Sequence, residues 1–361
     1  MTHKDLIVTT KYIPDTLVAG VRFLGKREEI RAHLEKIHAL AKPYINGSAV
    51  VMYHAGDSKN GYDIEVCLPV SQVVEADELK TRTLQGGDML CATHLGPHDH
   101  LMETWKLLSA YIRTHDIGMA EDPGREVYLE DVSTHGDDVE KYVVEIQVPL
   151  LLSKWLNRLA DGLDHYVNEE IRAQVLAGSE DLSEISTPRE RAIWVQGSME
   201  RLDAAVNDEE ARYQIMTGCS QRFPQERILQ LKKVYQETGS VDSVLETMSN
   251  DQSWQGASFY EDPEREGYVI NVEKIPYDRE RFENASDEIE KKVAYCHCPF
   301  VRGAIRDQMD ISPTFCGCGA GWYRQLWVGI LDMPTPVETL ETVLHGGERC
   351  KFAIHLPVEG K

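Results

Sequence analysis

Asp63-Ile-Glu-Val-Cys-Leu-Pro-Val70 and Val143-Val-Glu-Ile-Gln-Val-Pro-Leu150 are two versions of one phrase. In both, an apolar run carries a glutamate four residues before a proline, so Glu65 and Glu145 correspond across 80 positions. Each run ends at a proline, where ladder hydrogen bonding stops, which predicts a strand. A phrase that returns predicts two copies of one supersecondary unit packed face to face, with a carboxylate kept near the seam. Glu65 also admits a plainer reading, a solvent-facing glutamate on an edge strand.

Working outward, Lys11 to Arg22 reads as a strand, and Ala49 to His54 as another. Between them, Lys26 to Ala41 has helical periodicity, with Ile30, Leu34, Ile37, His38 and Leu40 as one face. The order then restarts. Leu79 to Gly96 reads as a long strand bent at Gly86-Gly87, and His98 to His115 as a helix with Leu101, Trp105, Leu108 and Ile112 at helical spacing. Glu126 to Glu130 and Tyr142 to Leu150 supply two more strands. The pattern predicts a duplicated strand-helix-strand-strand sheet carrying two helices on one side. The opposite, concave face is left free to bind a ligand.

The rest of the chain differs. Leu151 to Leu176 reads as a helical connector, and Ser183 to Pro188 as a boundary. Arg189 to Val206, Glu209 to Met216, Gln225 to Glu237 and Val241 to Met248 read as helices, whereas Ser258 to Tyr260 and Gly267 to Ile275 read as strands. The charged stretch Asp278 to Lys292 predicts a solvated helix, and Val337 to His355 a hairpin around His345-Gly-Gly347. The expected class is α+β: the duplicated sheet domain over 1–152, a helical connector over 153–188, and a mostly helical, Cys-rich domain with a small antiparallel sheet over 189–361.

The chain has 361 residues and a formal charge of −22, with no basic patch, which disfavours nucleic acid and anionic membranes as partners. Met1-Thr-His-Lys-Asp-Leu has no signal-peptide pattern, and no apolar run approaches a membrane span, so a cytoplasmic protein is expected. Five of the eight cysteines fall between Cys296 and Cys350. Cys296 and Cys298, then Cys316 and Cys318, form two Cys-x-Cys pairs separated by 17 residues. Close thiolates suit zinc, copper(I) or an iron–sulfur cluster, with Cys350 as a fifth candidate ligand and Cys219 a distant one. Thiol exchange or simple burial would also account for them.

Residues 1–150 resemble the GyrI-like family, the effector-binding fold of multidrug-responsive regulators. The resemblance rests on Asp63 to Val70, on Leu84-Gln-Gly-Gly87 with His94-Leu-Gly-Pro97 and Leu101, on Arg125-Glu-Val-Tyr128, and on Glu145-Ile-Gln-Val-Pro149. His98 departs from the family's Tyr after Gly-Pro. The resemblance implies a pocket for a hydrophobic or cationic small molecule, with a buried glutamate as counter-ion. Glu145 is the favoured carboxylate and Glu65 its counterpart, with Tyr53, Trp105 and Tyr128 as aromatic walls. With no helix-turn-helix ahead of this domain, a regulator role for the chain alone is disfavoured.

The region from Arg189 to Pro357 resembles bacterial domains related to 2-aminothiazoline-carboxylate hydrolase-like and vinyl-reductase-type families. The residues concerned are Cys296-His-Cys298, Cys316-Gly-Cys318 with Gly321-Trp-Tyr323, and Gly346-Gly-Glu-Arg-Cys-Lys-Phe352. The leading expectation is a small-molecule-binding protein with a glutamate-containing hydrophobic pocket and a cysteine-ligated metal site. The alternative is a hydrolase of a xenobiotic or secondary metabolite, with Glu145 activating water or protonating a leaving group and Tyr128 or His94 as second proton donor. A third is a metal- or redox-dependent enzyme centred on the cysteine pairs. His94 reads equally as a satisfied strand histidine, and Trp105 as core. The oligomeric state is open, a homodimer included.

Overall fold

Pro14 cuts the first expected strand in two. Lacking an N–H, it cannot continue a ladder, and β1 (Val8–Ile13) and β2 (Thr16–Gly25) part there, β1 to one edge of the sheet and β2 to the last place but one at the other. The computed structural model describes residues 6–57, 61–130, 136, 138–250 and 263–357. The expected bent strand from Leu79 to Gly96 likewise divides, at Gln85-Gly86, into β5 (Lys80–Leu84) and β6 (Gly87–Leu95). The two breaks meet. The Gly86 amide donates to Asp15 Oδ1 at 2.7 Å, and a Cβ on Gly86 would lie 2.1 Å from the Ile13 carbonyl oxygen. Only glycine allows that approach.

The remaining strands are β3 (Ala49–Asp57), β4 (Gly61–Pro69), β7 (Arg125–Glu130) and β8 (Val143–Pro149). The sheet order is β1-β6-β8-β7-β3-β4-β2-β5, and every pairing is antiparallel. The order is palindromic in kind: each half has its flanking strand supplied by the other half, β1 beside β6 and β5 beside β2. A local two-fold axis therefore passes between β3 and β7, where Val50 faces Val127 and Val51 faces Glu126.

Helices α1 (Ile30–Ala41) and α2 (Leu101–Thr114) cover one face of this sheet. Ile30, Ile37 and Ala41 pack on Val51, Ile64 and Val66, while Leu101, Leu108 and Ile112 pack on Ala92, Val144 and Ile146. A 3.6-residue period through Ile30 and Ile37 turns His38 and Leu40 outward, correcting their placement on the buried face; Leu40 is 41% exposed. The other face carries a smaller cluster of Val18, Val50, Met52, Cys67 and Leu84 with Val127 against it.

The chain divides into two compact units, Met1–Ser153 and Lys154–Lys361. The second is mostly helical, with a four-stranded antiparallel sheet in the order β11-β12-β10-β9. Its strands are β9 (Glu264–Glu266), β10 (Val269–Glu273), β11 (Val337–Glu341) and β12 (Lys351–His355). The expected strand from Gly267 is β10, the second arm of a hairpin that turns at Gly267, whose φ is +60°. The hairpin around Gly346 forms as expected. The charged stretch expected as one helix is two, Arg279–Glu283 and Glu288–Tyr295, because Asp287 accepts from the Glu290 amide and starts the second. Ser258 to Tyr260 lie outside the described residues. Helix Gly317–Leu331 places Tyr323, Leu326, Trp327 and Ile330 on the sheet residues Ile270, Phe352 and Ile354. Among the described residues no helix is long and apolar enough to cross a membrane.

Candidate functional site

Arg125 and Glu126 are adjacent on β7, and the pleat sends their side chains to opposite faces of the sheet. Arg125 faces Met52, in the row away from the helices, and Glu126 faces Val51, in the helix-side core. Each face therefore has its own polar centre near the two-fold axis.

On the helix side, Glu126 is 0% exposed. Three donors converge on it. Arg27 Nη2 reaches Oε1 at 2.7 Å, Trp105 Nε1 reaches Oε1 at 2.9 Å, and the Tyr128 hydroxyl donates to Oε2 at 3.0 Å. The Arg27 guanidinium also lies 4.9 Å from the centre of the Tyr53 ring, within cation–π range. Burial and the Glu126 charge push the Tyr128 hydroxyl well above the usual phenol range, so it stays a donor. Burial does the same to Tyr53, with Glu126 adding to it. His98 packs edge-on against Tyr128 at 5.0 Å and tilted against Tyr142 at 4.8 Å, in place of a tyrosine. The arrangement is a carboxylate in an aromatic wall with a cation seated in it. That cation comes from a three-residue 3-10 turn (Arg27–Glu29) ahead of α1, and its side chain is 32% exposed.

On the opposite face, Glu65 accepts from His54 Nε2 at 2.9 Å and from Arg82 Nε at 2.8 Å. Burial raises the Glu65 carboxyl, but the hydrogen bonds from His54 and Arg82 outweigh it and hold the carboxyl below its ordinary value. These residues border an open cleft of about 390 Å³, which Met52, Leu84 and Arg125 also line. Glu145 lies on this face too, through its register with Val127. It is bonded to Lys11 Nζ and to Gln147 Nε2, the latter at 2.9 Å, and is not among the residues lining the cleft.

The residues singled out from sequence are thus brought together differently than expected. Tyr53, Trp105 and Tyr128 do gather, but around Glu126. Glu65 and Glu145 share the other face, and the pleat separates Glu145 from Tyr128 and His94. His94 Nε2 donates to the Pro97 carbonyl at 3.0 Å, so Nδ1 accepts from the buried Thr104 hydroxyl at 2.8 Å. It ties β6 to α2 and has no ring nitrogen left for a substrate. Glu126, Arg27, Arg82, His54 and Arg125 were not foreseen. Arg125-Glu-Val-Tyr128 did carry a signal: a glutamate one step out of phase with an arginine in a strand must face the other way.

The cysteines of the second unit sit at the end of helix Glu209–Gly218 (Cys219, buried), at the end of helix Glu288–Tyr295 (Cys296), in the loop beyond it (Cys298), at the start of helix Gly317–Leu331 (Cys316, Cys318) and just before β12 (Cys350). Burial, then neighbouring thiols, raises Cys298 and Cys316; burial raises Cys318 as well, and Cys350 is pushed up to about 11 by burial and Cys296. Among the described residues no three His, Cys, Asp or Glu side chains are grouped to hold a metal ion. Burial also drives the His297 ring, between the first pair, down to about 3, and its Nε2 lies 2.7 Å from the Ile275 carbonyl oxygen.

Residues 8–151 match the family model described as GyrI-like small molecule binding domain. No curated protein matches the chain. Among solved structures, an EcmrR–DNA complex is 19% identical with a TM-score of 0.37, covering 40% of this chain and 57% of that one. The chain therefore spans little more than half of that EcmrR. The isolated EcmrR C-terminal domain is 18% identical, with a TM-score of 0.37, covering 40% of this chain and 98% of that one. A hydrolase encoded by lin2189 from Listeria innocua is 13% identical, with a TM-score of 0.32, covering 40% of this chain and 91% of that one. By the family match, with the duplicated sheet and its two helices, residues 8–151 form a GyrI-like small molecule binding domain.

Proposed function

We propose that the first unit binds a hydrophobic organic cation on the helix side of its sheet, with Glu126 as counter-ion and Tyr53, Trp105 and Tyr128 as walls. One observation carries this reading: a fully buried carboxylate in an aromatic wall already holds a guanidinium, that of Arg27. A buried carboxylate demands a partner. Here the partner comes from a short turn and is about one-third exposed, so it can yield its place to a ligand cation. Arg27 is then a resident stand-in for the ligand, and binding is an exchange of one cation for another.

Titration of the full chain with rhodamine 6G, a flat cationic fluorophore, tests the proposal. Saturable binding is expected in the wild type, weakened roughly tenfold or more in Glu126→Gln, as loss of a charge-assisted contact implies. Equal affinity in wild type and variant would overturn the assignment. The hydrolase alternative has less support, because Glu145 is on the other face from Tyr128 and His94 and its carboxylate is engaged by Lys11.

A further inference from the structure

The face of the sheet away from the helices holds a second buried cation, and among the described residues it makes no ion pair. Arg125 is 4% exposed. Its Nη2 donates to the Gln85 carbonyl, and its Nε has no hydrogen-bond partner. Among the described residues no carboxylate lies within ion-pair distance of its guanidinium. Asp122 and Asp15 act on it only at longer range, and burial opposes its charge. A guanidinium nevertheless stays protonated in a protein, and a buried charge without a partner is costly. The nearest glutamate in the ladder does not serve. Glu65 lies across Met52 from Arg125 in one cross-strand row, about 10 Å away at the Cα atoms. It is already taken by Arg82 and His54.

Arg125 lines the open cleft of about 390 Å³ together with Met52 and Leu84, which give it an apolar floor. Lys80 adds a further cation to the wall, while Glu121 and Asp122 border it and would repel a second acid group. We propose that this cleft is a second ligand site, for a small monocarboxylate whose acid group is held by Arg125 and whose apolar body lies on Met52 and Leu84. Arg125 supplies parallel N–H groups that match a carboxylate, and its free Nε is one of them. The site is separate from that around Glu126, since the two residues are neighbours that project to opposite faces.

The test compares two fluorophores of one shape, 7-diethylaminocoumarin-3-carboxylate and its uncharged carboxamide, by fluorescence titration of the full chain. The wild type is expected to bind the carboxylate at least roughly tenfold more tightly than the carboxamide. Arg125→Gln should bring the two to parity, with Arg125→Lys between, since it keeps the charge and loses the fork. Rhodamine 6G at saturation should leave carboxylate binding unchanged. Equal wild-type affinities, absence of carboxylate binding, a preference that survives Arg125→Gln, or displacement by rhodamine 6G would each overturn the proposal. The wild-type comparison stands even where a variant fails to fold.

Discussion

Arg27→Met is the perturbation that most directly separates a resident stand-in from an ordinary structural ion pair. Methionine keeps the apolar stem over Tyr53 and removes the guanidinium that Glu126 accepts at 2.7 Å. Two effects of opposite sign are expected. Without ligand, Glu126, 0% exposed, loses its charged partner and keeps only Trp105 and Tyr128 as donors. A buried group stripped of a partner costs about 1–3 kcal/mol, so the variant should be less stable by about that much in urea unfolding. With a cation present, the competitor is gone. Hydrogen bonds to charged groups contribute about 1.5–3 kcal/mol, which sets the competition Arg27 offers and so the largest gain on its removal. Rhodamine 6G should bind about 10- to 150-fold more tightly to Arg27→Met than to the wild type. It should also restore stability to the variant by mass action, which calorimetry at several dye concentrations would read. If Arg27→Met binds the dye no better than wild type while losing stability, Arg27 is a strut and the exchange mechanism is wrong.

Two further outcomes are expected. Acid should act through Glu65: its carboxyl titrates below its ordinary 4.5 when folded, so the stability it confers is complete above that value and is lost as pH falls through the folded pKa. Glu65→Gln should flatten the loss of unfolding free energy below about pH 4.5, and an unchanged acid limb would refute the assignment. Gly321→Ala should destabilise the second unit by about 1–3 kcal/mol, as overpacking does. Its Cβ would lie 2.0 Å from the Thr217 carbonyl oxygen of helix Glu209–Gly218, and an unaltered thermal midpoint would show that the two helices have slack.

Much of the fold could be read from the chain. The returning phrase around Glu65 and Glu145 announced the duplication, and periodicity located β3, β4, β7, β8 and both helices within a few residues. The misplacements have local causes. Lys11 to Arg22 looks continuous in hydropathy, yet Pro14 breaks it, and the break is accommodated only because Gly86 packs against Ile13 at close range. His38 and Leu40 are apolar or neutral enough to look buried, but the helix turns them outward. The cysteine pairs stand close in sequence, but spacing says nothing of depth, and burial raises the Cys298, Cys316 and Cys318 thiols.

The site was the least legible part, and the reason is register. A sequence says that successive strand residues alternate between faces, so it fixes that Arg125 and Glu126 part company. It does not say which face meets the helices, nor who stands opposite. Glu126 draws Arg27 from 99 residues away and Trp105 from 21, and Glu65 draws Arg82 from 17 and His54 from 11. Those meetings arise from the antiparallel pairings on either side of the β3–β7 axis, which depend on every strand at once. The sequence alone determined that this domain is built twice over and keeps carboxylates in its strands. The tertiary structure decided which carboxylate lies in an aromatic wall with a cation, and which arginine on the other face is buried with no ion pair among the described residues.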